Sequence, residues 1–310
     1  MRKLQKNLLI YLITIFFLIE FLVNSNSLIT VFFNTIKLFI NNLLPSIFIF
    51  FTITDILNNY NLPYYLSRTF GKPIEKIFKI PRDSSYIIFM SFFSGFPSSS
   101  KLIKDALDKE IIDSYDATKI LSMTHFANPL FIITISNNLF HDKNIGIIVL
   151  LVHFITNFII GFIFRNIYKY EKREINYQMK KPLNFIDLLK SSFYNTSKLL
   201  INVLGIILFF SLVLTTVNRY LNLNNFSNMI FNGLFELTTG LKYLADLNIE
   251  KTRAIALAGL FISFGGFSIH MQNMAILNKY DINYYIYLIA RIIHATISFL
   301  LIFLILTHYN

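Results

Sequence analysis

Apolar runs of near-membrane length, separated by short polar segments, set the pattern of this chain. Residues 145–164 read IGIIVLLVHFITNFIIGFIF, and residues 199–217 and 286–306 are nearly as apolar. An α-helix needs about 20 predominantly apolar residues to cross a bilayer. The pattern therefore predicts an all-α polytopic membrane protein; a large soluble core would not need so many runs of this length. Residues 8–23 form the first run and follow Arg2, Lys3 and Lys6, as a signal peptide would. Cleavage calls for small residues in an A-x-A-like pattern. Val23-Asn24-Ser25-Asn26-Ser27 lacks that pattern, so an uncleaved first helix is expected.

Residues 28–57 are too long for one ordinary span. Pro45 divides them, because proline has no N–H and disfavours helix at the residue before it. A helix to about Asn42 and another from Pro45 are expected, followed by a basic loop holding Pro63, Gly71, Pro73 and Pro81. Residues 86–93 cover only half a membrane. After the break Ser94-Gly95-Phe96-Pro97, residues 98–109 read as an amphipathic helix. Residues 116–140 are helical again but interrupted at Asn128-Pro129, and residues 145–168 span. Residues 169–182 are the most polar of the chain and the natural junction between halves. The second half repeats the plan loosely: Val203-Leu204-Gly205 and Phe209-Phe210 echo Leu43-Leu44-Pro45 and Phe50-Phe51, and the break at Gly265-Gly266 echoes the one at Gly95. Chance likeness between apolar helices would read similarly. The count comes to roughly six to eight full spans plus two broken ones.

Composition agrees. Of 310 residues, 55% are hydrophobic and 34 are Phe, and only 15% are charged, against about 25% in an average globular protein. The net charge of +11 sits in three clusters: Arg2, Lys3 and Lys6; Arg68, Lys72, Lys76, Lys79 and Arg82; and Lys169, Lys172, Arg173, Lys180 and Lys181. Basic segments beside spans mark cytoplasmic sides and meet anionic lipid. The lipid bilayer is thus the expected partner and nucleic acid is not, since no nucleic-acid-binding motif accompanies the charge. The absence of cysteine excludes disulfides, zinc–thiolate and iron–sulfur chemistry.

Candidate chemistry lies where the apolar pattern fails. Backbone broken at membrane depth survives only where protein or a watery cavity covers it. Paired breaks in the two halves point to a transporter-like binding site. At the first break, Gly95 and Pro97 allow a tight turn and Ser98–Ser100 would cap the next helix. Its N–H groups and Lys101 would then hold a polar ligand, or Lys101 would meet headgroups. Asn128 and the Thr124-His125 pair serve either a pathway or helix packing. Glu236, inside an apolar segment, must be protonated, paired, in a wet cavity or at an interface. Lys101 and His270 are its candidate partners, while Glu20 and Asp55 are expected at span ends. At the second break, Gly265 and Gly266 precede Ser268, His270, Gln272 and Asn273, a set that reads hydroxyl, amide or nucleobase edges. Arg291 is expected to snorkel. No metal-ligand spacing and no catalytic constellation stands out. The expected binding set is Ser94, Gly95, Pro97, Ser98, Lys101, Asn128, Glu236, Gly265, Gly266, His270 and Gln272, with no cofactor and no enzymatic activity.

Four motifs occur in a fixed order: Ser94-Gly95-Phe96-Pro97-Ser98-Ser99-Ser100-Lys101, Asn128-Pro129-Leu130-Phe131, Glu236-Leu237-Thr238-Thr239-Gly240, and Gly266-Phe267-Ser268-Ile269-His270-Met271-Gln272. With the early Leu44-Pro45-Ser46-Ile47-Phe48, they resemble the sporulation integral membrane protein YlbJ family, which carries the nucleoside-recognition gate domain. The resemblance implies a bacterial, endospore-forming cell, a multi-pass location in a membrane of the sporulating cell, and kinship with the gates of nucleoside transporters. On it, the chain divides into N-terminal membrane helices (1–42), a first gate-like repeat (43–168), a basic cytoplasmic linker (169–185) and a second gate-like repeat (186–310). The leading expectation is a transporter-like protein that binds a polar, nucleoside-like solute between two broken helices. The alternative is a membrane scaffold holding partner proteins of spore formation.

Overall fold

The computed structural model describes residues 2–170, 172, 179, 181 and 183–309. The expected linker residues Arg173 and Lys180 lie outside them. Among the described residues there is no strand, and fifteen α-helices follow one another. They are α1 (Arg2–Val23), α2 (Ser25–Leu38), α3 (Leu44–Asn59), α4 (Leu62–Phe78), α5 (Tyr86–Ser94), α6 (Ser98–Asp108), α7 (Ser114–Met123) and α8 (Pro129–Phe140). Then come α9 (Lys143–Ile163), α10 (Phe185–Tyr220), α11 (Asn225–Phe235), α12 (Leu237–Asp246), α13 (Lys251–Phe264), α14 (Gly266–Ile276) and α15 (Tyr284–Tyr309). The protein is an all-α, multi-pass membrane protein.

Among the described residues five stretches are long and apolar enough to cross a membrane: Ser25–Asn59, Asn144–Asn166, Phe185–Tyr220, Lys251–Ile276 and Tyr284–His308. That is fewer than the six to eight full spans expected. The reason is that three helical pairs, α5/α6, α7/α8 and α11/α12, are each split by a break into short pieces, whereas α13 and α14 together still reach the length of a span across theirs. Two details differ locally. Pro45 does not separate two helices, because a π-helical turn over Phe39–Leu43 widens the chain and carries α2 into α3. The proline then falls in the first turn of α3, where its missing N–H is not needed. The expected basic loop is mostly the helix α4, which starts with Pro63 in its first turn and stops at left-handed Lys79.

In lipid, apolar burial does not drive helices together; close packing and interhelical hydrogen bonds do. Small residues supply the close approach. A Cβ on Gly259 of α13 would collide with the Ile302 side chain of α15, and one on Gly240 of α12 with the backbone of Gly233 in α11. The helix α13 is the structural centre, enclosed by α8, α9, α12 and α15. A separate cluster holds α3 to α10 through Ile47, Phe51, Leu199, Val203 and Ile207. The α3–α10 seam also carries a Thr52–Thr196 hydroxyl pair at 3.1 Å. By contrast α1 shows its apolar side chains outward along most of its length. Glu20 ties it to α10 through Arg219 at 3.3 Å and the Tyr220 hydroxyl.

Candidate functional site

All four breaks meet inside the molecule. At the first, α5 ends on Gly95 at φ +70, and a Cβ there would come within 2.6 Å of the Asn128 amide nitrogen. The Phe96 N–H donates to the Phe126 carbonyl at 2.8 Å, across to the second break. There Asn128 caps α8: its Oδ1 accepts from Leu130 N at 2.9 Å and Phe131 N at 3.3 Å, while its Nδ2 donates to the Phe93 carbonyl at 3.1 Å. The third break is a single extended residue, Glu236. Its Oε2 accepts from Thr239 N at 2.7 Å, Thr238 Oγ1 at 2.6 Å and Thr239 Oγ1 at 2.9 Å, capping α12. At the fourth, Gly265 and Gly266 have φ +85 and +72. A Cβ on Gly265 would collide with His125 Nε2, and one on Gly266 would lie 3.1 Å from Leu237 N. The backbone groups freed at the breaks are therefore covered by protein, as membrane depth demands.

A buried polar chain joins the two halves. Ser100 Oγ donates to Asn273 Oδ1 at 2.8 Å, and Asn273 Nδ2 donates to the Tyr287 hydroxyl at 2.9 Å. That hydroxyl, having accepted from Asn273, donates to His125 Nδ1 at 2.9 Å. The His125 ring also stacks on Phe96 with centroids 4.8 Å apart. Below it Arg291 is fully buried. It does not snorkel, because α15 packs it against the end of α7, where the guanidinium reaches the Ser122 carbonyl, His294 Nδ1 at 2.8 Å and Asn157 Oδ1 at 3.4 Å. A cation at a helix C-terminus meets the negative end of the dipole, and among the described residues no carboxylate pairs with it. His153 and Ser263 lie 3.1 Å apart. They are not a base and its nucleophile: His153 Nε2 accepts from Ala127 N at 2.9 Å, so Nδ1 carries the proton and donates to Ser263 Oγ.

Two cavities open on this assembly. The inner one, about 30 Å3, is lined by Phe96, Phe131, Glu236, Ser268 and Gln272, with Val203 and Ile207 of α10 as its far wall. It holds about two waters. Among the described residues Glu236 Oε1, the Gln272 amide and the buried Ser268 hydroxyl have no hydrogen-bond partner. The outer one is an open groove of about 780 Å3, floored by Pro97, Lys101 and Gln272 and flanked by α10. Ligand sites are mostly apolar hollows of roughly 300–1,000 Å3 with a few convergent polar groups. The groove has that size, the inner cavity that lining, and Gln272 belongs to both.

The expected residues thus divide. Glu236 and Gln272 face the inner cavity, and Pro97 and Lys101 face the groove. Ser94, Gly95, Asn128, Gly265, Gly266 and His270 instead build the breaks; His270 bonds the Phe264 carbonyl at 3.0 Å and the Tyr284 hydroxyl at 3.2 Å. Ser98 and Ser99 do not cap α6; both hydroxyls are buried without a partner. Neither Lys101 nor His270 pairs with Glu236. Lys101 Nζ lies 2.9 Å from Asp55, which also accepts from Ser192 at 2.8 Å and Asn195 at 3.4 Å. Glu20 and Asp55 are both buried against protein. Sequence reasoning passed over Asp55 and Phe96 as site residues, and named Ser268 beside Gln272 without including it in the binding set. An acid inside an apolar run was the available signal for Asp55, but nothing local marks Phe96 as a cavity wall. Among the described residues no group of His, Asp or Glu side chains is arranged to hold a metal ion.

No family model matches the sequence, and no solved structure matches it. Among curated proteins, an alignment of 292 residues at 22% identity covers 80% of this chain and 70% of the other. The chain is similar to the sporulation integral membrane protein YlbJ of Bacillus subtilis (strain 168). The likeness to YlbJ read from the motifs is thereby borne out, and the printed name of YlbJ agrees with the multi-pass membrane fold seen here.

Proposed function

We propose that this protein acts in endospore formation, in a membrane of the sporulating cell, as a transporter-like protein for a polar solute. The role in sporulation rests on the similarity to YlbJ. The solute reading rests on one observation: Glu236 Oε1, Ser268 and Gln272, from two different broken helices, point unpartnered into one small cavity with aromatic walls. Intramembrane polar groups face pathways or partners, and these three lack partners. The solute meets a carboxylate with no cation beside it, since Lys101 is held by Asp55. It must therefore present hydrogen-bond donors and no negative charge, as a nucleoside-like molecule does. The inner cavity has to widen to admit it, and the groove beside Gln272 is the space from which it comes.

The test is uptake into proteoliposomes of a panel of radiolabelled uncharged polar solutes, nucleosides among them, by the unaltered protein, Glu236→Gln and Gln272→Ala. Uptake by the unaltered protein that both substitutions reduce supports the reading. Uptake indifferent to both rejects the site. No uptake across the panel, together with spores defective only when the basic segment around Lys169 and Lys181 is altered, favours a scaffold instead.

A further inference from the structure

Three hollows of this molecule lie along one helix, α10. The groove is lined on α10 by Asn195, Leu199 and Val203, and the inner cavity by Val203 and Ile207. A third hollow of about 250 Å3, on the far side of Glu236, is lined on α10 by Ser211 and Thr215. These six positions recur every four residues, so at 3.6 residues per turn they wind about the helix by roughly 40° a step, about 200° in all. Twenty residue steps at about 1.5 Å each carry that winding line through about 30 Å, the thickness of the hydrocarbon layer. Phe209 of α10 lines none of the three hollows and is exposed, as a lipid-facing side chain is.

The polarity along this line is ordered too. The groove end has Asn195, Lys198 and Asn202, and the far hollow has Ser211 and Thr215 together with Thr239, Lys242 and Asp246. Only the middle is apolar, where Val203 and Ile207 pack into the cluster with Ile47 of α3. Two polar side chains bridge the middle. Gln272 lines both the groove and the inner cavity, while Thr239 lines the far hollow and bonds Glu236, which lines the inner cavity. Polar linings at both ends and an apolar plug at mid-depth are what two water-filled entrances and a barrier require.

We infer that α10 lines a path across the bilayer that winds about this helix, with aqueous entrances at the groove and at the Thr239–Asp246 hollow, and with Val203 and Ile207 as the barrier between them. This inference rests on the solute-transport reading for its purpose but not for its geometry. The groove entrance is the open one in this conformation, and a solute reaches Glu236 by displacing the two apolar side chains.

The chain has no cysteine, so single cysteines report without background. Each is placed in the full-length protein in liposomes and treated from either side with a membrane-impermeant cationic thiosulfonate. Asn195→Cys and Asn202→Cys are expected to label from one side, and Ser211→Cys and Thr215→Cys from the other. Val203→Cys, Ile207→Cys and the lipid-face control Phe209→Cys should react at least about tenfold more slowly. A Cβ on Gly205 meets only open groove, so Gly205→Phe folds normally and protects Asn202→Cys, an arm that does not disturb the barrier. Labelling of both ends from the same side overturns the inference, as does reaction at Phe209 equal to that at Asn202 and Ser211. The expected labelling without uptake of any solute would leave the two entrances standing and reject transport. Uptake with unlabelled Ser211→Cys and Thr215→Cys would reject this path and leave transport standing.

Discussion

Asn128 reaches from one helix break to the next, its amide donating to the Phe93 carbonyl at 3.1 Å while its carbonyl oxygen caps α8. Two functions in one side chain can be separated. Asn128→Asp keeps the cap and loses the donor, so a cost of about 1 kcal/mol is expected. Asn128→Leu loses both and should cost about 2–3 kcal/mol. Unfolding of the two variants in detergent micelles checks the ranking; equal losses would show that only the donated bond to Phe93 matters.

Gly265 is held by the His125 ring and by a backbone conformation that side chains resist. Gly265→Ala is expected to destabilise by about 2 kcal/mol or more, from strain at positive φ and from the collision. Only the collision disappears in Gly265→Ala combined with His125→Ala. The double variant should therefore lose less than the two single losses added together, as thermal unfolding of the three proteins would reveal.

Glu236 joins a structural duty to the proposed chemical one. In Glu236→Gln an amide oxygen still accepts from Thr239 N, and stability should fall by less than about 1 kcal/mol. Glu236→Ala removes the cap and should cost about 1–2 kcal/mol. If the cavity serves a solute, both variants lose solute binding, whereas only the alanine variant unfolds measurably earlier. Parallel binding and unfolding measurements separate the two.

Asp55 is bonded to Lys101, Ser192 and Asn195, whereas Lys101 remains partly exposed. Removing the lysine should cost little, below about 1 kcal/mol, because solvent already screens it. Asp55→Leu strands three partners at once and should cost about 2 kcal/mol or more. A double-mutant cycle with Lys101→Met gives the pair's own share, expected to shrink as salt is raised.

Much of this architecture can be read from the residues. Runs without charge announce helices in a bilayer, and Gly95, Asn128-Pro129 and Gly265-Gly266 each mark a place where a helix cannot continue. The break at Glu236 was harder to read, because glutamate is a good helix former and its role as a cap depends on Thr238 and Thr239 folding back onto it. The burial of Arg291 was out of reach for a different reason: beyond His294 on its own helix, its partners Ser122 and Asn157 come from α7 and α9, far away in sequence. For the site, residue type singled out Glu236 and Gln272, which line the inner cavity, but it could not separate them from His270 and Asn128. Those two spend every hydrogen bond on the fold itself, and such spending is decided by neighbours distant in sequence.

The bond between Ser100 and Asn273, and the seat of His125 against Gly265 and Tyr287, bear on how the chain is made. On a ribosome feeding a membrane, α6 and the second break emerge long before α13, α14 and α15 exist. Until the last third arrives, a hydroxyl and an imidazole wait in or near lipid with no one to bond. The first half is therefore an unfinished object during insertion, dependent on water or an insertase for shelter, and severed halves should be rescued only when both are synthesised together.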